Sequence, residues 1–150
     1  MRIIEKAERL LGRGTDGTYA LLRGVAGLLF AFHGLQKLTG VLDGYQPPLW
    51  SQVWWGGLIE LACGVAVAVG VATRWAAFLA SGTMAVAYLQ FHWRFAGGAR
   101  LLPAINQGEP ALLYAFLFLY IACRGSGRAP ARATLAAHEE RATATQLARG

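Results

Sequence analysis

The sequence predicts an all-α protein: a four-helix transmembrane bundle with a short amphipathic N-terminal helix. The first observation is composition, since 55% of the 150 residues are hydrophobic and only 15% are charged. That balance is too apolar for an ordinary soluble domain of this size. The second observation is that the apolar residues are gathered in four long blocks. About 20 helical residues cross a hydrocarbon core about 30 Å thick, so such blocks are typical of membrane spans.

The elements follow one another between charged or glycine-rich segments. In residues 1–14, apolar and charged positions alternate at helical spacing, which predicts an amphipathic helix on the membrane surface. We expect a membrane domain over residues 19–124 and a basic cytoplasmic tail over 125–150. The four apolar blocks are 19–38, 53–71, 75–93 and 110–123, of which the last is short for a span.

The basic residues predict the orientation. With four spans, both termini and Arg74 lie on one side, which carries most of the Lys and Arg, whereas the loop 39–52 has neither. The positive-inside rule then places both termini in the cytoplasm, with the protein in the bacterial inner membrane. The net charge of +6 is explained by this topology and by anionic lipid. No base-reading motif is present, so we expect the bilayer and a membrane protein or second copy as partners, and no nucleic acid.

Glu60 is the residue that points to a site. It interrupts an apolar block and is the only acidic residue between Asp43 and Glu109. An ionisable group at membrane depth costs about 2.5 to 3.5 kcal/mol on insertion scales, so it usually faces the bundle interior and has a partner. The antiparallel topology brings polar residues of all four helices to the same depth. The candidates are Glu60, His33 and Lys37 for catalysis, and Gln36, Gln90, His92, Arg94, Asn106 and Glu109 for substrate binding.

Helical spacing suggests how the first two helices meet. His33, Gln36 and Lys37 share one helix face, and Gly56, Glu60 and Gly64 share another. Small residues allow close helix approach, so we expect these faces to dock with Glu60 near Lys37 or His33.

Such a cluster has several interpretations. It could be a structural ion pair that fixes helix register, or a polar pocket for a small polar or quinone-like head group in which His33 or Glu60 handles protons. Metal ligation by His33, Glu60 and His92 lacks a ligand-spacing motif, and we predict no metal. A haem with His33 and His92 as axial ligands is a further interpretation, but only the presence of these two histidines supports it. Cys63 and Cys123 do not form a C-x-x-C pair, which argues against a thiol–disulfide enzyme.

One stretch resembles a known family. Residues 22–40, LRGVAGLLFAFHGLQKLTG, resemble the DoxX family of small membrane proteins, and the F-H-G-x-x-K element at 32–37 is the most specific match. The second block and the run that begins at Pro103 also fit, so the resemblance covers about residues 19–127.

The resemblance implies a four-helix membrane bundle. It also implies an association with respiratory or sulfur redox chemistry, because the family is related to a membrane subunit of thiosulfate:quinone oxidoreductase. His33, Lys37, Glu60 and Glu109 match the family's characteristic polar positions, without a proven catalytic role.

We therefore expect a subunit linked to quinone-level electron transfer or sulfur redox chemistry, with quinone as the cofactor. Glu60 and His33 would manage protons, and Lys37 and Arg94 would supply positive charge. The alternative is a non-catalytic structural or assembly subunit of a larger membrane complex. A small-solute transporter is less favoured, because no inverted repeat or broken helix is visible.

Overall fold

The computed structural model describes residues 4–6, 12 and 14–127, and every regular element within them is helical. The all-α class is therefore confirmed for this part of the chain. The predicted N-terminal helix and basic tail lie largely outside the described residues. The α-helices are α1 (Thr15–Thr39), α2 (Gln52–Val69), α3 (Thr73–Ala87), α4 (Pro103–Asn106) and α5 (Glu109–Arg124).

Two local features set the lengths of these helices. The hydroxyl of Ser51 accepts a hydrogen bond from the backbone N–H of Trp54 at 3.2 Å, which caps the start of α2. Gly70 ends α2 at a φ of 86°, a left-handed conformation that glycine adopts without steric cost. α3 does not stop at Ala87, because a π-helical segment, Tyr88–Trp93, continues it.

The four long helices α1, α2, α3 and α5 contact one another within a compact unit, Thr18–Ser126. The ring centroids of Phe30 in α1 and Phe118 in α5 lie 4.7 Å apart. The Ser81 hydroxyl of α3 donates to the Ala115 carbonyl of α5 at 2.7 Å. α1 meets α2 through glycines, described below.

Small residues fill the interior and large apolar residues point outward. The buried core includes many alanines, among them Ala77 and Ala80, which are fully buried. In contrast, Trp75 and Leu113 are 79% and 71% exposed. Small residues at helix contacts with bulky apolar residues outside are typical of membrane helices, since lipid covers the outer surface. α1 and α2 are long and apolar enough to cross a membrane, by length and composition.

Arginines stabilise one end of this unit. Arg23 of α1 donates to the carbonyl oxygens of Val67 and Ala68, at the end of α2. Arg74 at the start of α3 donates to the Cys123 carbonyl at the end of α5, at 2.6 Å. The last carbonyls of a helix lack partners within it and carry partial negative charge, which a guanidinium satisfies. In both contacts the start of one helix lies beside the end of the other, so the two helices are antiparallel. The candidate polar residues lie towards the other end of the unit.

Candidate functional site between the four long helices

Paired glycines bring α1 and α2 together. A Cβ atom added at Gly34 of α1 would lie 2.5 Å from the carbonyl oxygen of Gly57 in α2. One added at Gly64 would lie 2.6 Å from the carbonyl oxygen of Gly27. The two glycines of α1 are seven residues apart, and so are the two glycines of α2. Seven residues make about two helical turns, so the backbones touch along one face of each helix. Gly56, which we expected in this contact, has open space around it instead.

This close approach sets the ion pair of the site. Gly57 lies against the side chain of Lys37, since an added Cβ would be 2.8 Å from the Lys37 Cβ. Glu60, one turn further along α2, accepts a hydrogen bond from Lys37 Nζ at 2.5 Å through its Oε1 atom. The predicted contact between Glu60 and Lys37 is therefore present. Lys37 keeps 28% of its side chain exposed and Glu60 only 2%.

The second carboxylate oxygen of Glu60 has no partner among the residues that the structure describes. Glu60 Oε2 is buried and makes no hydrogen bond to any described residue. Leaving a buried polar atom unpaired costs about 1 to 3 kcal/mol, and more for a charged group. Most buried side-chain polar atoms do have partners, so an unsatisfied one calls for a physical explanation such as a bound molecule or a proton.

Beside this carboxylate lies a cavity of about 860 Å³. That volume falls within the range of roughly 300–1,000 Å³ that is usual for small-molecule sites. All four long helices contribute to its wall, which is largely apolar. Four of the nine predicted site residues line it: His33, Lys37, Glu60 and His92.

The two histidines reach the cavity from different helices. His33 is an exposed residue of α1, one turn before Lys37. His92 is half-buried in the π-helical segment, and its Nδ1 atom lies 3.4 Å from the backbone carbonyl of Asn106. That contact suits an Nδ1–H donor, which would leave Nε2 as an acceptor.

Five predicted residues lie outside this cavity. Gln36 packs against the loop glycine Gly44. Gln90 accepts a hydrogen bond from the Gln52 side chain at 2.6 Å. Arg94 is exposed in a left-handed conformation that ends the π-helical segment.

The other two of these five lie near the start of α5. The Asn106 side chain accepts from the backbone N–H of Gly108 at 2.8 Å and donates to the Arg100 carbonyl at 3.0 Å, so its bonds stay within its own loop. Glu109 is exposed and lines a separate, mostly apolar groove of about 830 Å³ between α1 and α5.

Four polar cavity residues were not predicted from the sequence. They are Tyr45, Gln52, Thr83 and Tyr114. Tyr45 and Gln52 belong to a loop and a helix start, where polar residues are ordinary. Thr83 and Tyr114 lie in apolar helices as isolated residues, and their hydroxyls give no sequence signal that separates them from normal span residues.

The polar side chains of the cavity can be described by the chemistry that their functional groups allow. Within the described ranges, 4–6, 12 and 14–127, no group of three or more His, Cys, Asp or Glu residues could hold a metal ion. A lysine-paired carboxylate with one free oxygen can accept a hydrogen bond, and the nearby imidazoles can accept or donate a proton.

Comparison with known proteins places these residues in a family context. A family model described as DoxX matches residues 18–93, which contain most of α1 and the whole of α2, α3 and the π-helical segment. A protein from Haemophilus influenzae, named only as an uncharacterized protein, is 37% identical in an alignment 116 residues long that covers 72% of this chain and 83% of that relative. No solved structure matches the chain significantly.

Proposed function

The chain belongs to the DoxX family, and we propose that it is an integral subunit of the bacterial inner membrane with a ligand site linked to quinone-level electron transfer or sulfur redox chemistry. In this proposal all four long helices cross the bilayer. α3 has 15 residues and the π-helical segment that continues it has 6. At about 1.5 Å per residue, the two together are long enough to cross a hydrocarbon core of about 30 Å. α5 is shorter, and its outward Leu113 and Phe116 are 71% and 63% exposed, as suits a lipid-facing helix.

The charge distribution supports an orientation with the arginine-rich end in the cytoplasm. Arg23 and Arg74 lie at that end, and the loop between α1 and α2 at the other end has no Lys or Arg. By the positive-inside rule the termini are cytoplasmic and the cavity lies in the outer half of the membrane.

The observation that carries the proposal is the unpaired Oε2 atom of Glu60 beside a largely apolar cavity. Ionisable residues at membrane depth are usually functional, because their cost must be offset. A quinone-level head group suits this cavity: it is a flat, mostly apolar ring, and in the reduced form it carries hydroxyl donors at its edge. When bound, a quinone supplies two-electron chemistry coupled to protons.

The residues of this chain would bind and orient the ring. Lys37 holds the carboxylate of Glu60 through Oε1. His33 and His92 line the same cavity and can pass protons between it and the surface. Phe30 and Tyr114, whose ring centroids lie 5.7 Å apart, supply an aromatic wall.

Two variants test this function in native membranes. Glu60→Gln and His33→Ala should lower quinone-dependent redox activity per folded protein, by about 10-fold or more if proton transfer is lost. Asp43→Asn, a carboxylate-to-amide change in an exposed loop outside the cavity, is the matched control. Unchanged redox activity in both site variants, with normal protein abundance, would refute the proposal.

The apolar groove between α1 and α5 supports a second candidate, a non-catalytic assembly subunit. Leu22, Leu29 and Leu113 line this groove and are 42%, 52% and 71% exposed. A partner helix could cover it. This role predicts that substitutions at the site lower the abundance of a larger complex, measured on native gels, without changing turnover per assembled complex.

A further inference from the structure

Two glycines of the cavity wall have no packing role. Gly56 in α2 and Gly82 in α3 both line the cavity, and a Cβ atom added at either would meet nothing within 4 Å. Glycine inside a helix is destabilising relative to alanine, because it loses more backbone conformational freedom on folding. Gly57 and Gly64 offset that cost by allowing α1 and α2 to touch, whereas Gly56 and Gly82 do not.

These two glycines lie where the cavity reaches the outside of the helices. Their neighbours in the wall, Trp55 of α2 and Phe78 of α3, are 47% and 61% exposed. Phe91, from the π-helical segment, is 51% exposed. The cavity therefore opens sideways between α2 and α3, through apolar side chains and not only through the loops. A missing side chain at each glycine keeps this opening wide.

Another part of the cavity wall is charged, in contrast to this apolar opening. Lys37 forms an ion pair with Oε1 of the Glu60 carboxylate, and no described residue pairs with Oε2. An ionised carboxylate only accepts hydrogen bonds. The group that complements Oε2 must therefore be a donor, such as a hydroxyl or an N–H, and a bare carbonyl would leave it unsatisfied.

We propose that the cavity takes an amphipathic molecule directly from the bilayer. Its hydrogen-bond-donating head group binds Glu60 Oε2, and its apolar tail leaves between α2 and α3 past Gly56 and Gly82. This inference rests on the proposed function for the placement in a membrane, and it adds the chemical class of the ligand and its route. Applied to quinones, it assigns the site to the hydroxylated, reduced form.

Three probes test it on the purified full-length protein, with bound probe counted by native mass spectrometry under anaerobic conditions. Decylhydroquinone has donors and a tail, its dimethyl ether has the tail without donors, and methylhydroquinone has donors without the long tail. A charge-assisted hydrogen bond contributes about 1.5 to 3 kcal/mol, so decylhydroquinone should bind about 10-fold or more tighter than the ether. Glu60→Gln, whose amide can also donate, should reduce this preference to about 3-fold or less.

The side opening is tested separately. Gly82→Leu should weaken binding of decylhydroquinone by about 10-fold and that of methylhydroquinone by less than about 3-fold, since only the tail needs the opening. Open space at the Cβ position lets this variant fold, which thermal melting checks. Gly24→Leu is the matched control, because Gly24 also has nothing within 4 Å and does not line the cavity.

The outcomes separate this inference from the proposed function. Equal binding of decylhydroquinone and its ether, or equal loss of both hydroquinones in Gly82→Leu, would overturn the inference and leave a quinone-level role standing. Binding of none of the probes would overturn both. The expected binding, together with membrane redox activity that is insensitive to both Glu60→Gln and His33→Ala, would keep the inference and refute the proposed function.

Discussion

Replacing Gly64 by alanine should force α1 and α2 apart. The added Cβ would lie closest to the Ala31 backbone nitrogen, 2.6 Å from the Gly27 carbonyl oxygen and 2.8 Å from the Ala31 Cα, whereas ordinary contact begins at 3.4 Å. Relieving the contact with the Gly27 oxygen alone requires the helices to separate by about 0.8 Å. All three neighbours are backbone atoms, so no side-chain rotation relieves the clash.

The expected cost is large for a single methyl group. Overpacking a well-packed interior typically costs about 1 to 3 kcal/mol, and a backbone clash places Gly64→Ala toward the upper end. Gly24→Ala is the control in α1, where an added Cβ has nothing within 4 Å. It should be neutral, or more stable by up to about 1 kcal/mol, since alanine favours the helix.

The free energy of unfolding of both variants is measured in the same detergent, with circular dichroism as the signal. The account expects Gly64→Ala to be less stable than Gly24→Ala by at least about 2 kcal/mol. A difference below about 0.5 kcal/mol would refute the glycine contact between α1 and α2, and with it the geometry that brings Lys37 to Glu60.

Three further substitutions test other contacts. Lys37→Met should lower stability by about 2 kcal/mol in thermal unfolding, less than the loss for a fully buried pair because Lys37 is 28% exposed; adding Glu60→Gln should restore part of it, and no recovery would contradict the pairing. Arg74→Ala removes donors to the last carbonyls of α5 and should cost about 1 kcal/mol, with Arg74→Lys intermediate; equal stability of all three forms would show that the cap contributes nothing. Ser81→Ala removes the hydrogen bond to the Ala115 carbonyl of α5 and should cost about 1 kcal/mol in the same assay, whereas a more stable variant would argue against that bond.

The ion pair could be predicted because residues four apart in an α-helix lie on the same face. His33 and Lys37 are four residues apart in an apolar helix, and Glu60 is an isolated acid in the next one. Burial of a charge requires a partner, and Lys37 was one of two within reach. The two polar residues of α1 that line the cavity were predicted from this spacing.

The end of α3 could not be placed in the same way. Gln90 and Arg94 share a face in an α-helix, but the segment from Tyr88 to Trp93 is π-helical. The backbone N–H of Arg94 donates to the Leu89 carbonyl at 2.9 Å, a five-residue spacing that shifts the side chains around the helix. As a result His92 lines the cavity, while Gln90 and Arg94 lie outside it.

The glycines show the same limit of sequence reasoning. Gly56 and Gly57 are adjacent, and helical spacing alone assigns either one to the contact with α1. Only the packing shows that Gly57 touches Lys37 and that Gly56 borders the cavity. Successive residues of an α-helix point about 100° apart around its axis. One of these adjacent glycines therefore faces α1, while the other lies at the side opening.

The most direct test of a ligand site at Glu60 is to identify what the protein holds in its own membrane. Wild-type protein and Glu60→Gln would be extracted in mild detergent, and their lipid-soluble contents measured by mass spectrometry. We expect near-stoichiometric quinone or quinol with the wild type and a clear loss with Glu60→Gln. Phospholipid alone with the wild type, or equal quinone in both, would contradict it.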